Sequence, residues 1–291
     1  MKKISAISSI IPSYNGCHLL KKHLPSVFDA VKSGDQVVIV DDASTDDTLE
    51  WLISKFSLHV IKNQKFTFSG TLYKGTLKHK NTEIELIVLA NKMNVRFAQS
   101  VNRAVETISN DYFFLVNNDV SVEPDAITIL REQISQDDSI FAVGCLEYEN
   151  SKSGEKSGKN LLWFERGLFQ HSKARDFESG ETAWASGGSA IFSRKKWLAL
   201  GGFDTSYYPA YWEDTDISYR ARKKGWQVVF NKNAVVFHQH ESTNASVFGS
   251  KSLENISWKN AFNFTWRNGN FFQKVQLLLW APYWHLKRIA H

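Results

Sequence analysis

The first half of the chain alternates between two hydrophobic periods. Ile7 to Ile11 is a short, mostly β-branched run, and from Cys17 to Val31 the apolar positions Leu19, Leu20, Leu24, Val27, Phe28 and Val31 recur at helical spacing. Gln36 to Val40 predicts a second buried strand. Asp46 to Phe56 predicts a helix entered through Ser44-Thr45-Asp46-Asp47, which places a hydroxyl and an acid at capping-box spacing. Strand, helix and strand in this order form a βαβ unit, which implies a parallel sheet. The rhythm continues with a strand from Glu83 to Leu89, a helix from Phe97 to Ile108 and a strand from Tyr112 to Val116. A helix opened by Pro124 then runs to Ile134, followed by a strand from Ile140 to Leu146.

Two segments break the rhythm. Residues 63–82 mix glycine, threonine and lysine with scattered aromatics and read as an inserted surface hairpin, and residues 150–160 read as a Gly, Ser and Lys-rich surface loop. Farther on, Ala183 to Phe192 is apolar around Ser186-Gly187-Gly188-Ser189, and Trp197 to Gly201 predicts a short helix. Glu213 to Lys224 predicts a longer helix closing at Gly225, and two strands follow at Gln227–Phe230 and Ala234–Phe237. The expected fold class is α/β, a mixed, mostly parallel, Rossmann-like sheet flanked by helices. The expected division is a domain over 1–245 and a helical C-terminal extension over 246–291.

With 291 residues, 43% hydrophobic and 22% charged, the chain is long and apolar enough for one large domain or two small ones, and disorder or a fibrous repeat is excluded. Cys17 and Cys145 have no paired spacing, which argues against a disulfide framework or a zinc site. Residues 251–291 carry six basic residues and one acid, Glu254, a surplus equal to the whole-chain net charge of +5. The first 250 residues are therefore neutral, and a basic sheath for nucleic acid is not expected.

That basic tail also holds Trp258, Trp266, Trp280 and Trp284. Cationic and aromatic residues together suit the headgroup layer of an anionic membrane, and equally a helical cap over the main domain. The longest apolar stretch, Val275 to Trp284, contains Gln276 and Pro282 and falls short of the roughly 20 residues a bilayer needs. Met1-Lys2-Lys3 and the apolar stretch after it imitate a leader, but three serines dilute the stretch and Pro12-Ser13-Tyr14-Asn15 ends it without a small-residue cleavage site. The expectation is a first strand and a cytoplasmic protein, peripheral on the inner face of the membrane if the tail docks there.

Polar clusters sit at the ends of apolar strands: Asp41-Asp42, Asn117-Asn118-Asp119, and His238 with His240. A fourth, Trp212-Glu213-Asp214-Thr215-Asp216, opens a helix. Singly, each reads as a turn or a cap. Gathered at the carboxyl edge of one sheet, where open α/β folds bind ligands, they suit a divalent cation, Mn2+ or Mg2+, held by Asp119 and a histidine with positions left for phosphate oxygens. A carboxylate at Asp214, beside the positive end of a helix, would serve as a proton acceptor. Ser186-Gly187-Gly188-Ser189 would let backbone amides approach a diphosphate or an acceptor, or is a plain turn. Glu213 would assist acceptor binding or cap its helix, and Asp216 is expected to pair with Arg220 one turn on. Trp163, Trp184, Tyr211 and Trp212 are candidates to stack on sugar faces, with core packing as the alternative.

Six motifs in order and spacing resemble the family 2 glycosyltransferases of the GT-A fold. They are Ile10-Ile11-Pro12-Ser13-Tyr14-Asn15, Val40-Asp41-Asp42-Ala43-Ser44-Thr45-Asp46, Val116-Asn117-Asn118-Asp119, Gly201-Gly202-Phe203-Asp204, Trp212-Glu213-Asp214-Thr215-Asp216 and Val236-Phe237-His238. The resemblance covers residues 4 to about 245 and is strongest to the bacterial branch that includes rhamnosyltransferases. It implies that Pro12 and Tyr14 border a nucleotide base, that Asp42 accepts from the base's ring imide, that Asn118 faces the ribose, and that Asp119 and His238 hold the metal, with His240 the rival ligand. It also implies that Asp214 is the general base of an inverting displacement. The family often has glycine where Arg96 stands, and the members with arginine use it against the nucleotide.

The resemblance thus implies transfer of a sugar from a nucleoside diphosphate-sugar to a saccharide or lipid-linked hydroxyl acceptor in bacterial surface-glycan assembly. The alternatives are a nucleotidyltransferase, for which Pro12 to Cys17 offers only Gly16 as a phosphate loop, and a carbohydrate-binding relative without turnover.

Overall fold

The computed structural model describes residues 6–61, 68–150, 154–239 and 250–289. The rival ligand His240 lies outside these residues. A parallel core is built from β1 (Ile7–Ser13), β2 (Gln36–Asp41), β5 (Thr82–Asn91) and β6 (Tyr112–Val116), in the spatial order β6-β1-β2-β5. Helices α1 (Cys17–Ala30), α2 (Thr48–Lys55) and α3 (Arg96–Thr107) make the connections.

Strand residues alternate between two cores. Ile7, Ile11, Val37 and Ile39 face α1, α2 and α4 (Ala126–Gln136), whereas Ile10, Val38 and Val40 face α3, α5 (Arg194–Ala199) and α6 (Glu213–Lys223). The sheet is therefore covered on both sides, as buried parallel strands require.

Beyond β6 the sheet turns mixed. β13 (Ser189–Ser193) runs antiparallel between β6 and β8 (Ile140–Glu149), and β14 (Gln227–His238) is parallel to β8. The two strands expected at Gln227–Phe230 and Ala234–Phe237 are one strand, with a register shift between Asn231 and Val235. The short β7 (Val120–Val122) pairs antiparallel with β14 and sets Val120 opposite His238.

The segment expected as a surface insertion contains β4 (Gly70–His79), which pairs with β5 along its length and extends the central sheet toward β3 (His59–Val60). The two-residue β3 covers only Tyr73 and Lys74 of β4 and ends the sheet on this side. Within the loop expected at 150–160, β9 (Lys156–Ser157) pairs with β8. The expected capping box at α2 gives way to lacing between loops. Ser44 Oγ accepts from Asn15 N at 2.9 Å, and Asp46 accepts from Thr48 N and Cys17 N.

A hairpin absent from the sequence reading, β10 (Asn160–Glu165) and β11 (Leu168–Lys173), turns through Arg166 and Gly167, both with positive φ, as a two-residue primed turn requires. Against it pack α7 (Ser250–Asn268) and α8 (Phe271–Ile289), through a third core that includes Phe169, Trp212, Phe264, Leu277 and Trp284. The C-terminal helices therefore share a core with the start of α6. The short β12 (Gly180–Glu181) closes the far edge of the sheet.

Candidate active site

The carboxyl ends of β1, β2 and β6 open into one cleft of about 380 Å3. On this edge the sheet order reverses about β1, which is where crevices form in open α/β sheets. Pro12, Tyr14, Asp42, Arg96, Asn118, Asp119, Gly187, Gly188, Glu213, Asp214 and His238 all line it. Trp212, expected with them, does not. Its ring is buried in the third core against Phe264, and its neighbour Tyr211 lines the cleft instead. The cleft also contains residues to which the sequence assigned no role, among them Asn94, Phe97 and Ser100.

The wall formed by the ends of β1, β2 and β6 is held by short-range bonds between loops. Asp42 N donates to Ser13 O at 2.9 Å, and Asn118 Nδ2 donates to Ser13 Oγ at 2.9 Å. A Cβ at Gly16 would lie 2.3 Å from Asn118 Nδ2 and would displace the Asn118 amide from this contact. The Asp42 carboxylate is buried and accepts from Asn91 Nδ2 and Val95 N at 2.9 Å and from Arg96 N at 2.8 Å. It thereby caps α3, whose first amides have no partner within the helix.

Arg96 opens α3 with φ +70, in the left-handed region. Glycine adopts that conformation freely, whereas a residue with a Cβ is strained by roughly 1–2 kcal/mol. An arginine held there at that cost has its guanidinium 5.9 Å from the Tyr208 ring, at the cleft.

On the opposite wall, Asp214 sits in the first turn of α6. Its Oδ2 accepts from Gly187 N at 3.2 Å, and its Oδ1 accepts from Thr215 N at 2.7 Å and Thr215 Oγ1 at 3.4 Å. Burial raises its pKa and these bonds oppose the rise. Its neighbour Glu213 is 7% exposed, and its Oε2 has no hydrogen-bond partner among the described residues. Burial, and then the Asp214 charge, push the Glu213 carboxyl well above the usual range. One proton shared by the pair thus belongs on Glu213, and Asp214, which holds the hydrogen bonds that favour an anion, is the carboxylate.

The turn before this pair is strained as well. Tyr211 and Trp212 have φ of +72 and +79. Asn260 of α7 holds the turn by donating from Nδ2 to the carbonyls of Tyr207, Ala210 and Tyr211 at 3.0, 2.9 and 3.0 Å. Asp216 meets Arg220 as expected, at 2.7 Å, and also accepts from Tyr207 Oη and Asn268 Nδ2. It ties α6 to α7.

At the cleft floor the pairing of β7 with β14 brings together residues 119 positions apart. His238 Nε2 lies 3.2 Å from Asp119 Oδ1. Glu147, the first acid after the apolar run that opens β8, lies behind the ring, 3.9 Å from Nδ1, and is itself bonded by Ser189 Oγ and Ser157 Oγ. Burial disfavours the imidazolium, but Asp119 and Glu147 outweigh it and hold His238 at a pKa of about 10.

No group of three or more His, Cys, Asp or Glu side chains among the described residues is arranged around a common point. Asp119, and His238 once its ring gives up a proton, fit a hard divalent cation that takes one or two protein ligands and completes its shell with phosphate oxygens and water. A carboxylate behind a ligating imidazole is the usual support for such a ligand.

Comparison with known proteins gives a consistent picture. The family model described as "Glycosyltransferase like family 2" matches residues 75–252, and "Glycosyl transferase family 2" matches residues 8–80. The N-acetylglucosaminyl-diphospho-decaprenol L-rhamnosyltransferase of Mycobacterium tuberculosis is 24% identical over 236 residues, covering 75% of this chain and 71% of that protein. A mannosyltransferase from Pyrobaculum calidifontis, solved with GDP-Man and Mn2+, superposes at a TM-score of 0.60 with 17% identity, over 99% of this chain and 72% of its own. S. aureus TarS 1-349 with UDP-GlcNAc superposes at 0.59 with 12% identity, over 94% of this chain and 70% of its own. GalNAc-T7, solved with UDP, GalNAc and Mn2+, gives 0.60 at 15% identity over 91% of this chain, which spans about half of it (48%).

Proposed function

The chain belongs to glycosyltransferase family 2 and has the GT-A fold, and from that premise we propose that it is a metal-dependent inverting enzyme whose base is Asp214. The observation that carries this reading is the convergence of Asp42, Asp119, Asp214 and His238 on one cleft. Pro12 and Tyr14 border the donor's base, Asn118 faces its ribose, and Arg96 offers a guanidinium fork to phosphate or base edges. Asp42 reads the base with the capacity left on a carboxylate that already accepts three hydrogen bonds.

Asp214 takes the proton from the acceptor hydroxyl as the oxygen attacks the anomeric carbon from the side opposite the diphosphate. Gly187 N–H and the Thr215 bonds fix the direction of its carboxylate. The protonated neighbour Glu213 spares the pair a second charge. Asp119 and His238 would hold Mn2+ or Mg2+, which when bound stabilises negative charge on the leaving diphosphate. Gly187 and Gly188 bring backbone close to the reacting groups, and a Cβ at Gly188 would lie 2.8 Å from Asn117 Nδ2 and push that side chain aside.

The mycobacterial relative is named for a lipid-linked acceptor, and a lipid-linked acceptor in surface-glycan assembly is the reading adopted here. That acceptor would bring the enzyme to a membrane surface. Among the described residues no helix is long and apolar enough to cross a bilayer.

The test is release of nucleoside diphosphate from a panel of UDP-, dTDP- and GDP-sugars with Mn2+ and a hydroxyl acceptor. Acceptor-stimulated release from one donor class supports the reading. Binding of donors with no release would leave a carbohydrate-binding relative instead.

A further inference from the structure

We propose that the outward face of α8 is a docking surface for an anionic lipid bilayer. The proposal deepens the lipid-linked reading of the acceptor and takes its purpose from it. Phe271, Phe272, Val275, Leu278, Leu279 and Leu286 are 40–75% exposed. At 3.6 residues per turn they fall within about 120° of the helix circumference, a continuous apolar stripe.

The stripe is not the by-product of an unpacked helix. The opposite face is docked through Leu277 and Trp284, both nearly inaccessible, and Trp284 Nε1 donates to Arg166 O at 2.7 Å. Burial of one face on the protein accounts for those residues and leaves the other face unexplained. Six large apolar side chains side by side on a surface mark an interaction site.

Charge selects the occupant. The 19 residues of α8 include no Asp or Glu. Helical geometry puts Lys274 on one flank of the stripe and Lys287 on the other. Their ammonium groups lie over the rings of Trp266 and Trp284, at 5.7 and 5.1 Å. An apolar stripe bordered by lysines matches an interfacial helix, whose apolar side sinks about 5–10 Å into the headgroup and acyl boundary while the cations meet anionic lipid. A second copy of the chain would bring the same basic flanks against each other.

The surface has a defined relation to the catalytic cleft. α8 and α7 share the core that buries Trp212, and Asn260 of α7 holds the turn leading into Glu213 and Asp214. A bilayer bound to α8 would thus be tied through rigid packing to the wall that carries the base.

The experiment is sedimentation of the full chain with phosphatidylglycerol/phosphatidylcholine vesicles, compared with vesicles of phosphatidylcholine alone. The wild-type chain should bind the anionic vesicles at least about tenfold more tightly. The F272S/L279S variant, altered only at exposed positions, should lose that binding about tenfold while keeping its melting temperature and its nucleoside diphosphate release with a water-soluble acceptor. K274E/K287E should lose the preference for anionic lipid.

Undiminished sedimentation of both variants would overturn the proposal. So would a lipid-free dimer, seen by sedimentation velocity, that F272S/L279S abolishes. Neither measurement uses a lipid-linked acceptor. Turnover on soluble acceptors alone would remove the lipid-linked reading and leave the docking surface standing, whereas vesicle binding that fails beside good turnover on a lipid-linked acceptor in detergent would do the reverse.

Discussion

The backbone N–H of Gly187 donates to Oδ2 of Asp214 at 3.2 Å, so the glycine turn before β13 and the first turn of α6 meet at the carboxylate assigned as the base. The carboxylate is aimed by backbone, and its orientation does not depend on a flexible partner. Burial raises its pKa, so the acid limb of kcat/KM should lie above the ordinary aspartate value of 3.8, with activity falling as pH drops through that raised value. A rate independent of pH from 7 down to about 4 would contradict this placement.

Glu213 makes a separate prediction about stability. Its pKa is raised in the folded protein above 4.5, so the folded state binds more protons than the unfolded one and loses stability as pH rises from there toward the raised value. Glu213→Gln should therefore raise the melting temperature by a few degrees at pH 8 and much less at pH 4.5. An equal shift at both values would show that Glu213 is not the protonated partner.

Arg96 combines a backbone cost with the binding role proposed for it. Arg96→Gly relieves a left-handed φ of +70 and should stabilise the fold by about 1 kcal/mol, measured by denaturant unfolding. The same change should raise the donor KM about tenfold by removing a charged contact to the nucleotide diphosphate. If stability falls and the donor KM stays at the parental value, the arginine serves the fold and not the donor.

Much of this was legible in the chain because the signals are local. Strands β1, β2 and β6 announce themselves by short apolar runs, and the polar groups that end them, Asp42 and Asn118-Asp119, are adjacent in sequence to those runs. What escaped depends on distant pairing. The ring of Trp212 looks available in sequence, but α7 supplies Phe264 to bury it. Glu147 becomes a partner of His238 only once β8 and β14 pair, although an acid in an apolar strand was itself a signal. The two readings of the tail, membrane contact and helical cap, looked exclusive because helical periodicity alone cannot say which face a neighbour covers. α8 buries one face and leaves a second apolar face exposed.

Glu147 should act on metal through His238. Glu147→Gln should weaken Mn2+ binding in the presence of nucleoside diphosphate about 10–100-fold, read by calorimetry, with nucleotide affinity in the absence of metal unchanged. Unchanged Mn2+ affinity would assign Glu147 to the packing of β8, β9 and β13 alone.

Asn260 clamps three carbonyls with one amide. Asn260→Ala strands them in a buried site and should cost about 2–3 kcal/mol in unfolding free energy. Because the turn it holds leads into Asp214, kcat should drop more than donor affinity does. A variant as stable as the parent would show that the strained turn is held by other contacts.

The central claim is that Asp214 accepts the proton in a cleft that binds the donor without its help. Donor affinity and turnover measured on Asp214→Asn test it most directly. Donor binding within about twofold of the parent, with turnover lower by about 10²–10⁴-fold, is the predicted result. Turnover retained at the parental rate would remove Asp214 from the chemistry and with it the mechanism built on this cleft.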